Sequence, residues 1–506
     1  MANFNKTKKK ESCLTYEGGK GYKRDSLKAW LNFLMGSYFE PQFYEDRDTQ
    51  LERFIELTNK IGKEYGPEFV AKCAAFSRDE LGLRSVSQFV AAIVNSQQFE
   101  NKRAFFRNFC VRPDDVAEIF AAIDALGEKR SHALVRGASD YLSSLGDYQI
   151  GKYKMNGKDY NMYDLINITH AHSAAIDKYK AGVLESPDTW EVAISDSDLS
   201  EEERDLEWIR LVKEEKLGYM ALLRNLRNIL KAIDHTKSQD TLISLLYQLT
   251  DNDKIRKSRV FPYRIYTAWK AVVPNSYQTP IRGTLNLECQ IRDSLSYAFS
   301  VAAENVPALE GNNVAIIDVS GSMDNYISEN SKVTCKQAAA CQAMTMILKN
   351  PETVVIKFGT TAKLCQKYDQ VYGDCFSYID YLVMNEGCGY GTDLADLPNI
   401  LNALGDINRI FLYSDFQAVD SNSYRFSDGC NSVKKFSKTV HSMNANVYSF
   451  DLSNYSNVVI SDDEKIMYLS GLNDKLYSII PLLEDSVKLE DYIAAKRWDL
   501  CYRTKN

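Results

Sequence analysis

Val314-Ala315-Ile316-Ile317-Asp318-Val319-Ser320-Gly321-Ser322 is an apolar run that opens directly onto one carboxylate and two hydroxyls. An uninterrupted apolar run of this kind reads as a strand buried on both faces, which places Asp318, Ser320 and Ser322 on the loop at its carboxyl end. Oxygen-only donors suit a hard divalent cation, Mg²⁺ first and Mn²⁺ second, and not a metal that prefers imidazole or thiolate. Two further pieces follow in chain order. Gly391-Thr392-Asp393 ends a glycine-rich turn, and Ile410-Phe411-Leu412-Tyr413 is another apolar run that closes on Ser414-Asp415. Asp and Ser after a strand are also ordinary turn formers and helix caps, so the weight rests on the three pieces together.

The pattern Asp-x-Ser-x-Ser, a later Thr and a later strand-end Asp resembles the metal-ion-dependent adhesion site of von Willebrand factor A domains. That resemblance implies hydroxyl ligands from Ser320, Ser322 and Thr392. Asp318 and Asp415 would bind directly or through water, and an open position would be left for an acidic group of a partner. No general base or nucleophile stands nearby in sequence, so the site reads as a docking site and not a hydrolytic one.

Outward from the motif, Val354 to Phe358 and Val447 to Phe450 are two more apolar runs, and helical patterns alternate with them. This is the signature of βαβ units and a parallel sheet, with the ligand site at the carboxyl ends of its strands. Met323-Asp324-Asn325-Tyr326 reads as the opening of a polar helix. The first 300 residues differ: Ala71 to Phe76, Ser87 to Val94, Val116 to Leu126 and Thr241 to Leu249 carry apolar residues near a 3.6 period, separated by turns such as Gly66-Pro67 and Arg112-Pro113-Asp114-Asp115. Many amphipathic helices without a dominant long one suggest stacked helical pairs of the HEAT type.

A chain of 506 residues exceeds what one core usually serves. Eleven cysteines form no C-x-x-C pair and fit unpaired thiols in a reducing cytoplasm. Lys6, Lys8, Lys9 and Lys10 are not followed by an apolar segment, and no apolar stretch is long enough to span a bilayer, so secretion and membrane insertion are not expected. The net charge is −7 and its acidic excess lies after residue 300, which leaves a near-neutral first part able to carry a basic face. Nucleophile elbow, P-loop and zinc-ligand patterns are absent, and the five histidines (132, 170, 172, 235 and 441) lie apart in sequence except for one close pair, so an enzyme is not expected.

The order helical array, then metal-site domain, resembles the TROVE-domain family of Ro RNA-binding autoantigens. Phe33-Leu34-Met35-Gly36-Ser37-Tyr38-Phe39 with Phe43-Tyr44, Lys216-Leu217-Gly218-Tyr219-Met220-Ala221-Leu222-Leu223-Arg224-Asn225-Leu226, and Ser258-Arg259-Val260-Phe261-Pro262-Tyr263 carry the likeness. With the Asp318 motif it runs from about residue 14 to about 482. The resemblance implies an α-helical HEAT-like ring followed by an α/β, Rossmann-like von Willebrand factor A domain. The corresponding partition is a basic N-terminal segment over 1–20, the ring over 21–305, the metal-site domain over 306–485 and a helical tail over 486–506. It also implies a monomer that binds small Y-like RNAs on the ring surface and single-stranded ends of misfolded RNAs in the cavity, with an exoribonuclease tethered through RNA as a further partner.

Candidate RNA contacts follow from the same likeness. Leu165-Ile166-Asn167-Ile168-Thr169-His170 is similar to the family segment whose histidine contacts RNA, with Lys152 and Lys154 upstream, although His172 is an alternative counterpart and the Lys and Pro that end the family motif are missing. Arg224 and Arg227 would share a helix face, and Arg256, Lys257 and Arg259 crowd one segment. Backbone-tracking cations are what sequence-tolerant single-strand binding needs. The bland alternatives are a structural histidine and solvated charge runs. For the tail, Val487 to Ile493 reads as an amphipathic helix that packs on the sheet. The rival function is a protein-docking scaffold that uses the metal site and binds no RNA.

Overall fold

The computed structural model describes residues 12–14, 20–23 and 26–36, and then 47–496 with gaps, of which 273–284 and 418–431 are the longest. Most of the basic N-terminal segment lies outside the described residues. In chain order the strands are β1 (Ser12–Leu14), β2 (Lys20–Lys23), β3 (Asn313–Asp318), β4 (Val354–Phe358), β5 (Ala362–Leu364), β6 (Arg409–Ser414), β7 (Asn446–Asp451), β8 (Asn457–Val458) and β9 (Ile466–Ser470).

The main sheet runs β5-β4-β3-β6-β7-β9. Four of its pairings are parallel, β9 at one edge included, and the β4/β5 pairing at the other edge is antiparallel. All six residues of β3 are buried, as its unbroken apolar run requires when helices cover both faces. One face packs Ile316, Ile356, Ile410, Leu412, Leu397, Leu401, Phe436 and Val440 into a continuous core. The chain leaves β3 toward β4 on one side and returns to β6 on the other. The β3/β6 boundary is therefore the topological switch point, where the carboxyl ends of adjacent strands open a crevice. A small antiparallel sheet, β1-β2-β8, belongs to the same compact unit.

Helices Tyr219–Thr236, Gln239–Thr250, Asn252–Ser258, Pro262–Val272 and Leu285–Ala302 precede β3. The last two pack on each other and on the helices of the sheet domain, burying Tyr266 and Phe299 edge-on and Trp269 face-on against Phe376. Arg292 reaches Asp374 at 3.1 Å and Ser377 at 2.9 Å, and so ties Leu285–Ala302 to helix Cys375–Val383. This packing is why the compact unit holding the sheet comprises 1–51, 218–227 and 242–478, so that its limits differ from a partition at residue 305.

The second unit comprises 52–217, 228–241 and 479–506. Its helices pack on neighbours one or two places along the chain: Pro67–Asp79 on Ser85–Ile93, that helix on Pro113–Ala125, Lys102–Phe109 on His132–Ser143, and His132–Ser143 on Met162–Thr169. This is the stacking of helical pairs expected of a HEAT-like array. Gly137 shows how close one such contact is. A Cβ there would lie 2.6 Å from the Arg103 carbonyl, so only glycine lets the two helices meet.

The tail corrects one expectation. Helix Leu489–Ala494 lies against helix Pro67–Asp79 and not on the sheet. Ile493 is fully buried, Tyr492 donates to both Glu80 carboxylate oxygens at 3.2 Å, Lys496 pairs with Glu80, and Lys72 donates to the Ala494 carbonyl at 2.8 Å. Polar anchors on this helix and at its C-cap Glu80 hold the tail there. Among the described residues no helix is long and apolar enough to cross a membrane, and Cys73, Cys110, Cys289, Cys335, Cys365, Cys375 and Cys388 carry free thiols.

Candidate functional site

The carboxyl ends of β3 and β6 bring four of the five proposed metal ligands together. Asp318 is fully buried. Its Oδ1 accepts the Ser320 amide at 2.9 Å and its Oδ2 accepts the Ser414 hydroxyl at 2.5 Å. The Ser320 and Ser322 hydroxyls stand 3.3 Å apart, and Ser322 also hydrogen-bonds Asp415. Asp415 is buried and accepts the Gln417 amide at 3.2 Å. Phe416 beside it is fully buried with φ at 59°, a conformation bulky side chains adopt only when surroundings impose it. Thr392 is buried on a loop joined to the motif by the Gly321 amide, which donates to the Tyr390 carbonyl at 2.9 Å.

The motif does not open a helix at Met323, as its polar sequence suggested. Gly321–Asp324 is a single 3₁₀ turn, Tyr326 bridges to Thr334, and the helix starts at Cys335. The reason is a capping box: Thr334 accepts the Gln337 amide while the Gln337 side chain accepts the Thr334 amide, which fixes the start at Cys335, 12 residues after Met323.

Electrostatics give the crevice its character. Burial pushes the Asp318 carboxyl above its ordinary range, against hydrogen bonds from Ser320 and Ser414 that pull it down. Burial and then the Asp318 charge push Asp415 up to about 7. Asp451, at the end of β7 and opposite Ser414 in register, adds to that repulsion. Its signal in the sequence was the same as that of Asp415, a carboxylate closing an apolar strand, and it was not singled out. Two buried carboxylates ringed by hydroxyls, without a cationic side chain in the hydrogen-bond set, match the donor chemistry of Mg²⁺ or Mn²⁺. Among the described residues no three His, Cys, Asp or Glu side chains converge to hold a metal, so any cation here would depend on the serine and threonine hydroxyls.

The proposed RNA contacts fall in both units. His170 is exposed and, at φ 55°, forms the left-handed cap that ends helix Met162–Thr169, so it stands off the apolar face instead of on it. His172 lies 3.4 Å from Asp177, and its amide donates to Ser143. Lys152 pairs with Glu191 at 3.0 Å, while Lys154 is half-buried. Exposed Tyr148 and Tyr163 belong to the same unit as His170 and were missed, because a lone tyrosine on a helix carries no sequence signal. In the other unit Arg224 and Arg227 are exposed on one helix face, and Lys257 and Arg259 are exposed as well. Arg256 forms a two-pronged bond to Glu304 at 2.7 and 3.1 Å, which occupies its guanidinium.

A helical array of stacked pairs joined to a doubly wound α/β domain with an oxygen-donor crevice defines the class of protein. Residues 153–285 match the TROVE domain family. Over 142 residues it is 30% identical to the RNA-binding protein RO60 of Caenorhabditis elegans, a match that spans 27% of this chain and 21% of that relative. The fold is that of the Ro (RSR) protein of Deinococcus radiodurans, whose crystal structure superposes with a TM-score of 0.62 at 14% identity, covering 90% of this chain and 99% of that one.

Proposed function

We propose that this chain is an RNA-binding protein of the Ro type that holds small Y-like RNAs on its helical surface and accepts single-stranded ends of misfolded RNAs, as a non-enzymatic part of RNA quality control. The observation that carries the reading is the TROVE match over 153–285, a stretch that contains His170 and much of the exposed basic helix surface. Helix-borne cations and exposed tyrosines are chemically suited to a phosphate backbone and stacked bases. An exoribonuclease held through the same RNA fits this role. So does a cytoplasmic location.

Asp318, Ser320, Ser322, Thr392 and Asp415 would hold a Mg²⁺ or Mn²⁺ ion in this reading. When bound, the ion would supply a Lewis-acidic point for a carboxylate of a protein partner. Ultraviolet crosslinking in cells, followed by purification and sequencing of the attached RNA, tests the function. Enrichment of a small stem-ended RNA, or of structured RNAs with single-stranded 3′ ends, is expected; protein partners without RNA would contradict it. That opposite outcome is the second reading, a metal-dependent protein-docking scaffold, and the crevice at the β3/β6 switch point is the observation in its favour.

A further inference from the structure

Thr392 stands between two anchored residues. The Gly391 amide before it donates to the Thr360 hydroxyl at 3.0 Å, and the Asp393 amide after it donates to the Gly359 carbonyl at 2.8 Å. Both anchors belong to the turn from β4 to β5. The same turn is stapled to the Thr392 loop twice more, through the Thr361 amide to the Cys388 carbonyl at 2.9 Å and the Thr361 hydroxyl to the Gly387 carbonyl at 3.0 Å. The Ala362 amide adds a bond to Asp396 at 3.2 Å. There is no slack between the two segments: a Cβ on Gly359 would lie 2.4 Å from the Gly389 carbonyl, and one on Gly389 would lie 2.7 Å from the Thr360 hydroxyl. On its other side the turn follows Phe358, whose carbonyl accepts the Val319 amide at 2.8 Å within the Asp318 motif.

We propose that Thr360 is a positioning residue for the cation site, its hydroxyl fixing the Gly391 amide and thereby the place of the Thr392 hydroxyl. The inference rests on the cation reading above. Groups behind the direct ligands set ligand geometry, and their loss typically weakens metal binding by about 10- to 100-fold. Thr360 is exposed at the surface, so it contributes little to the core, and its substitution is expected to leave folding intact.

The test is a Mn²⁺ titration of the metal-free full chain, with free Mn²⁺ read by electron paramagnetic resonance, on the wild type, T360V, T360S and T392A. T360V is expected to weaken binding about tenfold, approaching T392A, while T360S restores it and the unfolding temperature without metal stays the same in all four. T360A, which also lacks the hydroxyl, replaces T360V if valine disturbs the turn. Wild-type affinity in T360V and T360A alongside a weakened T392A would overturn the role of Thr360 alone. Failure of the wild type to bind Mn²⁺ at all would overturn the cation reading beneath it.

Discussion

Asp115 and the Asp318/Asp415 pair are both buried carboxylates, and the molecule treats them in opposite ways. In the helical unit, Asp115 accepts two bonds from Arg78 at 3.0 and 2.8 Å, one from Gln88 at 2.6 Å, and the amides of Val111 and Arg112 at 2.9 Å each. Burial alone would raise its pKa, but the Arg78 charge and these donors hold it below the ordinary value. In the crevice, Asp318 and Asp415 have hydroxyl and amide donors only, and both are raised. One carboxylate is complete within the fold. The other two have no cationic partner among their hydrogen-bond donors, and the proposed cation site rests on that contrast.

The largest effect expected is at the crevice. Asp318→Ala should reduce Mn²⁺ affinity at least 100-fold in a calorimetric titration; an unchanged isotherm would break the contrast at its root. If the metal site and the RNA surface act separately, the same variant keeps its RNA affinity. Next comes Asp115→Ala, which strands a buried guanidinium. A loss of about 3–5 kcal/mol is expected in urea unfolding, and a loss near zero would mean that the Asp115 cluster is not a structural hub.

The pH response should separate the clusters by sign. Because the Asp115 pKa is depressed in the folded state, its contribution is present above the unfolded carboxylate value of about 4 and is lost as pH falls through the folded value. Asp318 and Asp415 are raised, so the metal-free fold binds more protons than the unfolded chain there and loses stability as pH climbs from about 4 toward 7. Added Mg²⁺ should therefore raise the unfolding temperature more at pH 8 than at pH 5. Equal gains at both would show that the raised carboxylates are not its ligands. The smallest effect concerns His170, which belongs to neither cluster: His170→Ala should weaken binding of a small stem-ended RNA roughly tenfold with unfolding unchanged, as one lost hydrogen bond to a charged phosphate implies.

How legible each region was follows from the range of its contacts. The four central strands could be read because parallel strands covered on both faces are continuous apolar runs, and Asp318 and Asp415 could be read because each closes such a run. β5 was missed: Ala362–Leu364 is a short edge strand with its last two residues exposed, so neither alternation nor apolarity marks it. The three-strand sheet was missed because β2 pairs with β8 more than 400 residues away. Arg112-Pro113-Asp114-Asp115 was correctly read as a turn, but nothing local shows that Arg78, Arg84 and Gln88 converge on Asp115 from 27 to 37 residues upstream. Thr360 was invisible for the same reason, since its partner Gly391 lies 31 residues further on.

The salt dependence of affinity for a small stem-ended RNA, measured on the full chain in Mg²⁺, tests the central claim most directly. Binding that weakens steeply and linearly on a log–log plot as salt rises is expected of a helical surface whose lysines and arginines displace counterions from the backbone. Absence of binding at low salt, or an affinity indifferent to salt, would contradict it and leave the crevice as the functional centre of a protein scaffold.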